Sequence, residues 1–269
     1  MSKQVFIEAP GILGPGIGNW QEFLSNGLQA VGDELPKLVA DRLPRNERRR
    51  ATQLTRLAFM SGEQTANTTS VAVENLANIF VSSCSSTDIV DSVCMQLGDE
   101  PLLVSPTQFH NSVHNAPVGY WSIATAAKLA SSSICAHDHS FAAGLLEAYS
   151  QVVIDEHPVM LIAADIAVTG RLKPFRDVPT PFACSLVLTS ERTNASIAAL
   201  SLSVENDGHA SQLVAEQGNL ETLRLGNPAA RALPLLTALA KPIHSDTGNI
   251  IFDMNGCYLK ACVEALSEQ

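Results

Sequence analysis

Short apolar runs alternate with longer amphipathic stretches along this chain, and that alternation sets the first expectations about its fold. VFIEAP reads as a strand, the Gly/Pro-rich stretch after it as a turn, and NWQEFLSNG as an amphipathic helix carrying Trp20, Phe23 and Leu24 and stopping near Gly27. Over residues 46–67, Leu54, Leu57, Ala58 and Phe59 share one face of a helix suited to lie against a sheet. NLANIFVSSCSSTDIVDSVCMQL gives a buried strand at 79–83, a Ser-rich turn and a helix from Asp88. A small-residue strand and tight turn in ASSSICAHDH precede a helix with Phe141, Leu145, Ala148, Tyr149 and Val152 at helical spacing. Residues 159–163 form a second buried strand, and PFACSLVLTS and NASIAALSLSVEND supply two more. In the tail, 233–240 and 257–266 read as helices, with His244, Ser245 and Asp246 between them. Strand and helix alternate without repeats or low-complexity linkers, which predicts an α/β domain with a mixed or parallel sheet flanked by helices.

Composition narrows the function classes. With 269 residues, 46% apolar and 16% charged, the chain can bury a large core. A net charge of −10 argues against a nucleic-acid partner, which needs clustered Lys and Arg. The one basic run, PRNERRR at 44–50, reads as the solvated start of a helix or as a docking patch for an acidic partner. No apolar run reaches the roughly 18–20 residues of a membrane span, and the N-terminus lacks a signal peptide's pattern, so a cytoplasmic protein is expected. Cys84, Cys94, Cys135, Cys184, Cys257 and Cys262 are scattered without C-x-x-C or zinc-like spacing; they read mostly as small core residues, with no metal and no cofactor expected. Gly11, Gly14, Gly16 and Gly18 lack the spacing and the Lys-Ser/Thr ending of a phosphate loop.

Two segments carry the chemistry. SPTQFHNSVHNAPVGYWSI is polar yet aromatic, which suits a cleft or an interface, and places His110 and His114 on one face if 109–115 is helical. His137, Asp138 and His139 form a dense titratable cluster beside Cys135. Asp138 or Ser140 is placed to cap the helix that follows. A Ser112-His114-Asp138 triad lacks any G-x-S-x-G elbow to support it.

In their order these segments resemble the N-terminal half of β-ketoacyl synthases. VFIEAPGILGPGIGNWQEFLSNG is similar to the family's opening strand, glycine turn and helix, RRRATQLTRLAFMSGEQT to its next helix, and SPTQFHNSVHNAPVGYWSI to its Pro- and Asn-containing segment. SSSICAHDHSFAAGLLEAYSQVV stands at the nucleophile strand, elbow and helix, with PVMLIAADI and FACSLVLTSERTNASIAALSLSV resembling the strand and hairpin-like pair that follow. The likeness covers roughly 5–207 and implies one half of a thiolase-like fold: a single domain over 1–269, with 208–269 a short extension that does not match.

In an active ketosynthase a Cys sits on a sharp turn at a helix N-terminus, where backbone N–H groups and the dipole activate it, and two histidines from the second half assist condensation. Here the register puts the nucleophile between Ala136 and Asp138, none of them a cysteine. Ala136, His137, Asp138 and His139 then read as a degenerate elbow, and Cys135 as either the runner-up nucleophile or a small buried strand residue. The roughly sixty residues after Asp207 do not match the two histidine motifs. The resemblance therefore implies a non-catalytic chain length factor, a heterodimer with a full-length ketosynthase, and acyl carrier protein substrates in polyketide or fatty-acid-like elongation. It looks most like the half-length factors of aryl polyene pathways. Phe109, His110, Val113, His114 and Tyr120 would lie at the interface and shape the partner's acyl tunnel. Two alternatives stay open: a small active synthase or acyltransferase using Cys135 with His137 or His110 as base, and a homodimer that binds acyl chains.

Overall fold

A computed structural model describes residues 3–26, 34–98, 103–212, 218–241 and 248–266. Within them, strands β1 (Val5–Leu13), β2 (Ala77–Val81), β3 (Ser131–Ile134), β4 (Val159–Asp165), β5 (Phe182–Thr189), β6 (Ser196–Glu205), β7 (Gly248–Asp253) and β8 (Tyr258–Glu264) join one sheet in the order β3-β2-β4-β5-β1-β6-β8-β7. The pairs β3–β2 and β2–β4 are parallel and the rest antiparallel, giving the mixed sheet expected. Helices α1 (Trp20–Ser25), α2 (Arg45–Arg50), α3 (Gln53–Ala66), α4 (Thr87–Gly98), α5 (Pro106–Ser112), α6 (Ala116–Thr125), α7 (Ser140–Asp155), α8 (Gly218–Gly226) and α9 (Leu233–Ala240) complete the architecture. Among the described residues no helix is long and apolar enough to cross a membrane.

The central strands are apolar runs because both faces are covered. On β4, Val159, Leu161 and Ala163 join a core with α7 and the tail, while Met160, Ile162 and Ala164 join a second core with α3 and α6. Each fully buried Leu or Ile stabilises the fold by about 1.5–3 kcal/mol. Close approach of α7 to the sheet depends on Gly144, where an added Cβ would stand 2.2 Å from Val81 Cγ2.

β1 carries a bulge between Glu8 and Gly11. Ala9 adopts a left-handed φ of 49°, and Glu8, wholly buried, accepts hydrogen bonds from Thr69 Oγ1 (2.7 Å), Ser70 N (2.9 Å), Ser70 Oγ (2.8 Å) and Thr193 Oγ1. Burial opposes its ionisation, but bonds from Thr193, Ser70 and Thr69 prevail and hold the carboxyl below the usual glutamate range.

Several sequence expectations need correction. The helix expected over 46–67 is two helices, because Ala51 is extended and Thr52 accepts the Thr55 amide at 3.1 Å to start α3 afresh. β5 and β6 do not form a hairpin-like pair; β1 lies between them and bonds to both. The stretch 257–266 is the strand β8, not a helix: Asn255 (φ 59°) and Gly256 (φ 110°) turn the chain back, and Leu259, Ala261 and Val263 alternate inward. Of the six cysteines only Cys184 is buried, while Cys94 and Cys135 are exposed. In the tail, the turn Ala229–Ala232 packs on β4, β5 and α7, α9 packs on that turn and on β7, and the β7–β8 hairpin widens the sheet. His244, Ser245 and Asp246 lie outside the described residues.

Candidate functional site

β3 ends at Ile134 and α7 begins at Ser140, so five residues must reverse the chain. Ala136 lies at φ −140°, ψ 41°, and His137 is left-handed at φ 52°, opening a 3-10 turn over His137–His139. The sharp, strained strand-to-helix turn thus has His137 at its apex, two residues beyond Cys135. Ser140, wholly buried, closes the turn: its Oγ accepts the Ala136 amide at 2.9 Å and donates to the His137 carbonyl at 2.6 Å. α7 itself has no side-chain N-cap, so the capping role expected of Asp138 or Ser140 is replaced by this clamp.

Of the three polar side chains of the turn, two share Arg176 and the third reaches β7. Asp138 Oδ1 accepts Arg176 Nη1 at 2.7 Å, and the same Nη1 stands 3.0 Å from His137 Nε2. Although burial raises the Asp138 pKa, the bond and charge of Arg176, then His137 and Arg231, bring it below the usual range. His139 Nδ1 bonds the Asp253 carbonyl at 2.9 Å, tying the elbow to β7. Cys135, exposed, donates its thiol to the Ser83 carbonyl at 3.1 Å, and neither His137 nor His110 bonds it. Cys135 is therefore not the small buried strand residue the sequence allowed. It follows a terminal strand and stands at the sheet's margin. A cavity of about 190 Å3 opens beside the turn, lined by Asp138, His139, Arg224, Arg231, Phe252 and Asp253 among others.

The segment 105–125 splits into α5 and α6 at an extended Val113 (ψ 141°). That break separates His110 from His114. His110 is exposed and stacks edge-on against Tyr120 with centroids 5.7 Å apart, whereas His114 Nε2 bonds the Ser82 carbonyl at 2.9 Å. Phe109 (62% exposed) and Val113 face outward, while Tyr120 is buried within this chain. Ser112 bonds the Phe109 carbonyl, so Ser112, His114 and Asp138 form no triad.

Three groups escaped the sequence reading. Arg176 sits in an irregular loop with no motif around it, yet holds Asp138 and His137. Asp165, at the end of β4 and buried, accepts Ser82 Oγ (2.9 Å), Ser83 N (2.8 Å) and Ser83 Oγ (2.9 Å) on one oxygen and Ala229 N (3.2 Å) on the other. Asn227, also buried, ties the Asp165 and Thr180 carbonyls to the tail. Only the run of Ser82, Ser83, Ser85 and Ser86 hinted at a hydrogen-bonded loop.

α3 and α6 on one face of the mixed sheet and α7 on the other, with a strained turn feeding α7, make a layered α/β fold. The family profile described as β-ketoacyl synthase, N-terminal domain, matches residues 20–233. The chain belongs to the β-ketoacyl synthase family through that domain. Among solved structures, a chain of the ketosynthase ApeO in complex with its chain length factor ApeC from Xenorhabdus doucetiae matches at 23% identity and a TM-score of 0.70, covering 96% of this chain and 99% of that one. A chain of the AntDE:AntF complex, a type II polyketide synthase acyl carrier protein with its ketosynthase bound to the hexaketide, gives a TM-score of 0.76 at 12% identity, covering 99% of this chain and 100% of that one. A β-ketoacyl synthase from Burkholderia phymatum gives 0.63 at 13% identity, with 99% and 100% covered. At these identities the likeness is one of fold, and it confirms the thiolase-like architecture. No curated protein matches.

Proposed function

We propose that this chain is a non-catalytic, chain-length-factor-type subunit that pairs in the cytoplasm with a full-length ketosynthase and shapes its acyl tunnel. The observation that carries the reading is the elbow. Its strained apex is His137, held with Asp138 by Arg176, where an acylating member of the family needs a thiol. Cys135 lies two residues earlier with its proton committed to the Ser83 carbonyl.

The partner face follows from the sheet. β3 is a terminal strand that pairs only with β2 among the described residues, and open edges recruit other chains. Beside it α6 exposes Ile123, and α5 with its following break exposes Phe109 and Val113. These apolar side chains would meet the ketosynthase, with Phe109 and Val113 reaching its tunnel. His110, Tyr120 and His114 would support them from within this chain. The acyl groups would arrive on an acyl carrier protein, as in the AntDE:AntF complex, in polyketide or aryl-polyene-type elongation.

One observation favours a second reading, an active Cys135: the thiol is exposed. Cys135→Ala in the reconstituted pair separates the two. Condensation at the wild-type rate is expected; its loss with the pair still assembled would establish the catalytic reading instead.

A further inference from the structure

The loop after β2 is shared by two parts of the molecule that meet directly only farther back, where Ser122 Oγ of α6 and Ser131 Oγ of β3 lie 3.0 Å apart among the described residues. His114, at the break between α5 and α6, bonds the Ser82 carbonyl, and Cys135, at the foot of the elbow, donates to the neighbouring Ser83 carbonyl. Both carbonyls belong to a backbone stretch pinned from the opposite side by one carboxylate. Asp165 Oδ1 takes the Ser82 hydroxyl, the Ser83 amide and the Ser83 hydroxyl, and the Ser82 oxygen in turn accepts the Ser85 amide at 3.0 Å, where the chain turns through a left-handed Ser85 (φ 58°). The second Asp165 oxygen holds Ala229 of the tail. Asp165 is 1% exposed and accepts all four of these bonds, the Ala229 amide being shared with Asn227 Oδ1 at 2.9 Å, so the loop is tied at several points to one buried carboxylate.

We propose that Asp165 is a positioning residue that couples the α5–α6 segment to the elbow, so that displacing His114 loosens the backbone on which Cys135 rests. The segment bearing Phe109 and Val113 thereby sets the order of the turn over residues 135–139. The inference goes beyond the proposed function and does not depend on it: the coupling lies inside this chain whether or not the partner is a ketosynthase.

The test reads the alkylation rate of Cys135 by iodoacetamide in the full-length chain, with exposed Cys94 on α4 as internal reference. His114→Ala, which leaves Cys135 and its bonded carbonyl in place, should raise the Cys135 rate roughly threefold or more while the Cys94 rate stays constant. Asp165→Asn puts an amide among donors, and should raise the rate further and abolish the added effect of His114→Ala. If Asp165→Asn fails to fold by circular dichroism, Ser83→Ala removes one of the carboxylate's donors and should diminish the His114→Ala effect in the same way. A folded His114→Ala chain whose Cys135 reacts at the wild-type rate overturns the proposal, as does a His114→Ala effect of equal size in the Asp165 or Ser83 background.

Discussion

Ala9 and His137 are both left-handed residues with side chains where glycine would be at ease, yet their surroundings are opposite. Ala9 sits in the β1 bulge beside a buried Glu8 that four donors satisfy, within the sheet's centre. His137 crowns the turn between β3 and α7, with its side chain 68% exposed and its neighbours held by a half-buried ion pair. Strain in the first is locked by the core and serves packing. Strain in the second is held by Ser140 and Arg176 in an exposed turn at the molecule's margin.

The contrast breaks most severely at Glu8. Glu8→Ala empties a buried site beside the bulge and takes the shared acceptor from the half-buried Thr69 and Thr193 and the exposed Ser70, and should cost about 2–4 kcal/mol in urea unfolding. Gly144→Ala pushes a methyl against Val81 below the elbow and should cost about 1–3 kcal/mol, showing that the turn's exposed apex rests on a tight helix–sheet contact. Glu8→Gln sharpens the same point through pH. Because the folded Glu8 pKa is lowered, its contribution is complete above the unfolded value of about 4.3 and fades as pH falls through the folded value. Thermal melts of the wild type should therefore lose stability over that acidic window, and Glu8→Gln should lose less. The smallest effect is His137→Gly, where relief of the left-handed conformation offsets the added entropy of glycine. Stability should change by under about 0.5 kcal/mol in the same unfolding assay.

Most of the architecture was legible because strands buried on both faces leave continuous apolar runs, as in 159–164, and α7 keeps Phe141, Leu145, Ala148 and Val152 on one stripe. The tail was misread at 257–266, where Leu, Ala, Cys and Val suit either element. The Asn255-Gly256 pair before it was the available sign of a hairpin. The pairing of β1 between β5 and β6 is set by long-range contacts with no local trace. At the site, the sequence read 136–139 as the turn and 136–138 as the stretch holding the nucleophile's position, and the left-handed φ that bends the chain there falls at His137. Arg176 and Asp165 arrive from distant loop and strand ends, and no spacing rule brings them to the turn.

The central claim is that this elbow carries no acyl group. The direct measurement is the intact mass of both chains after the reconstituted pair is incubated with acyl carrier protein substrate. The account predicts a thioester adduct on the ketosynthase and none on this chain. An acyl adduct on this chain that disappears in Cys135→Ala would contradict it.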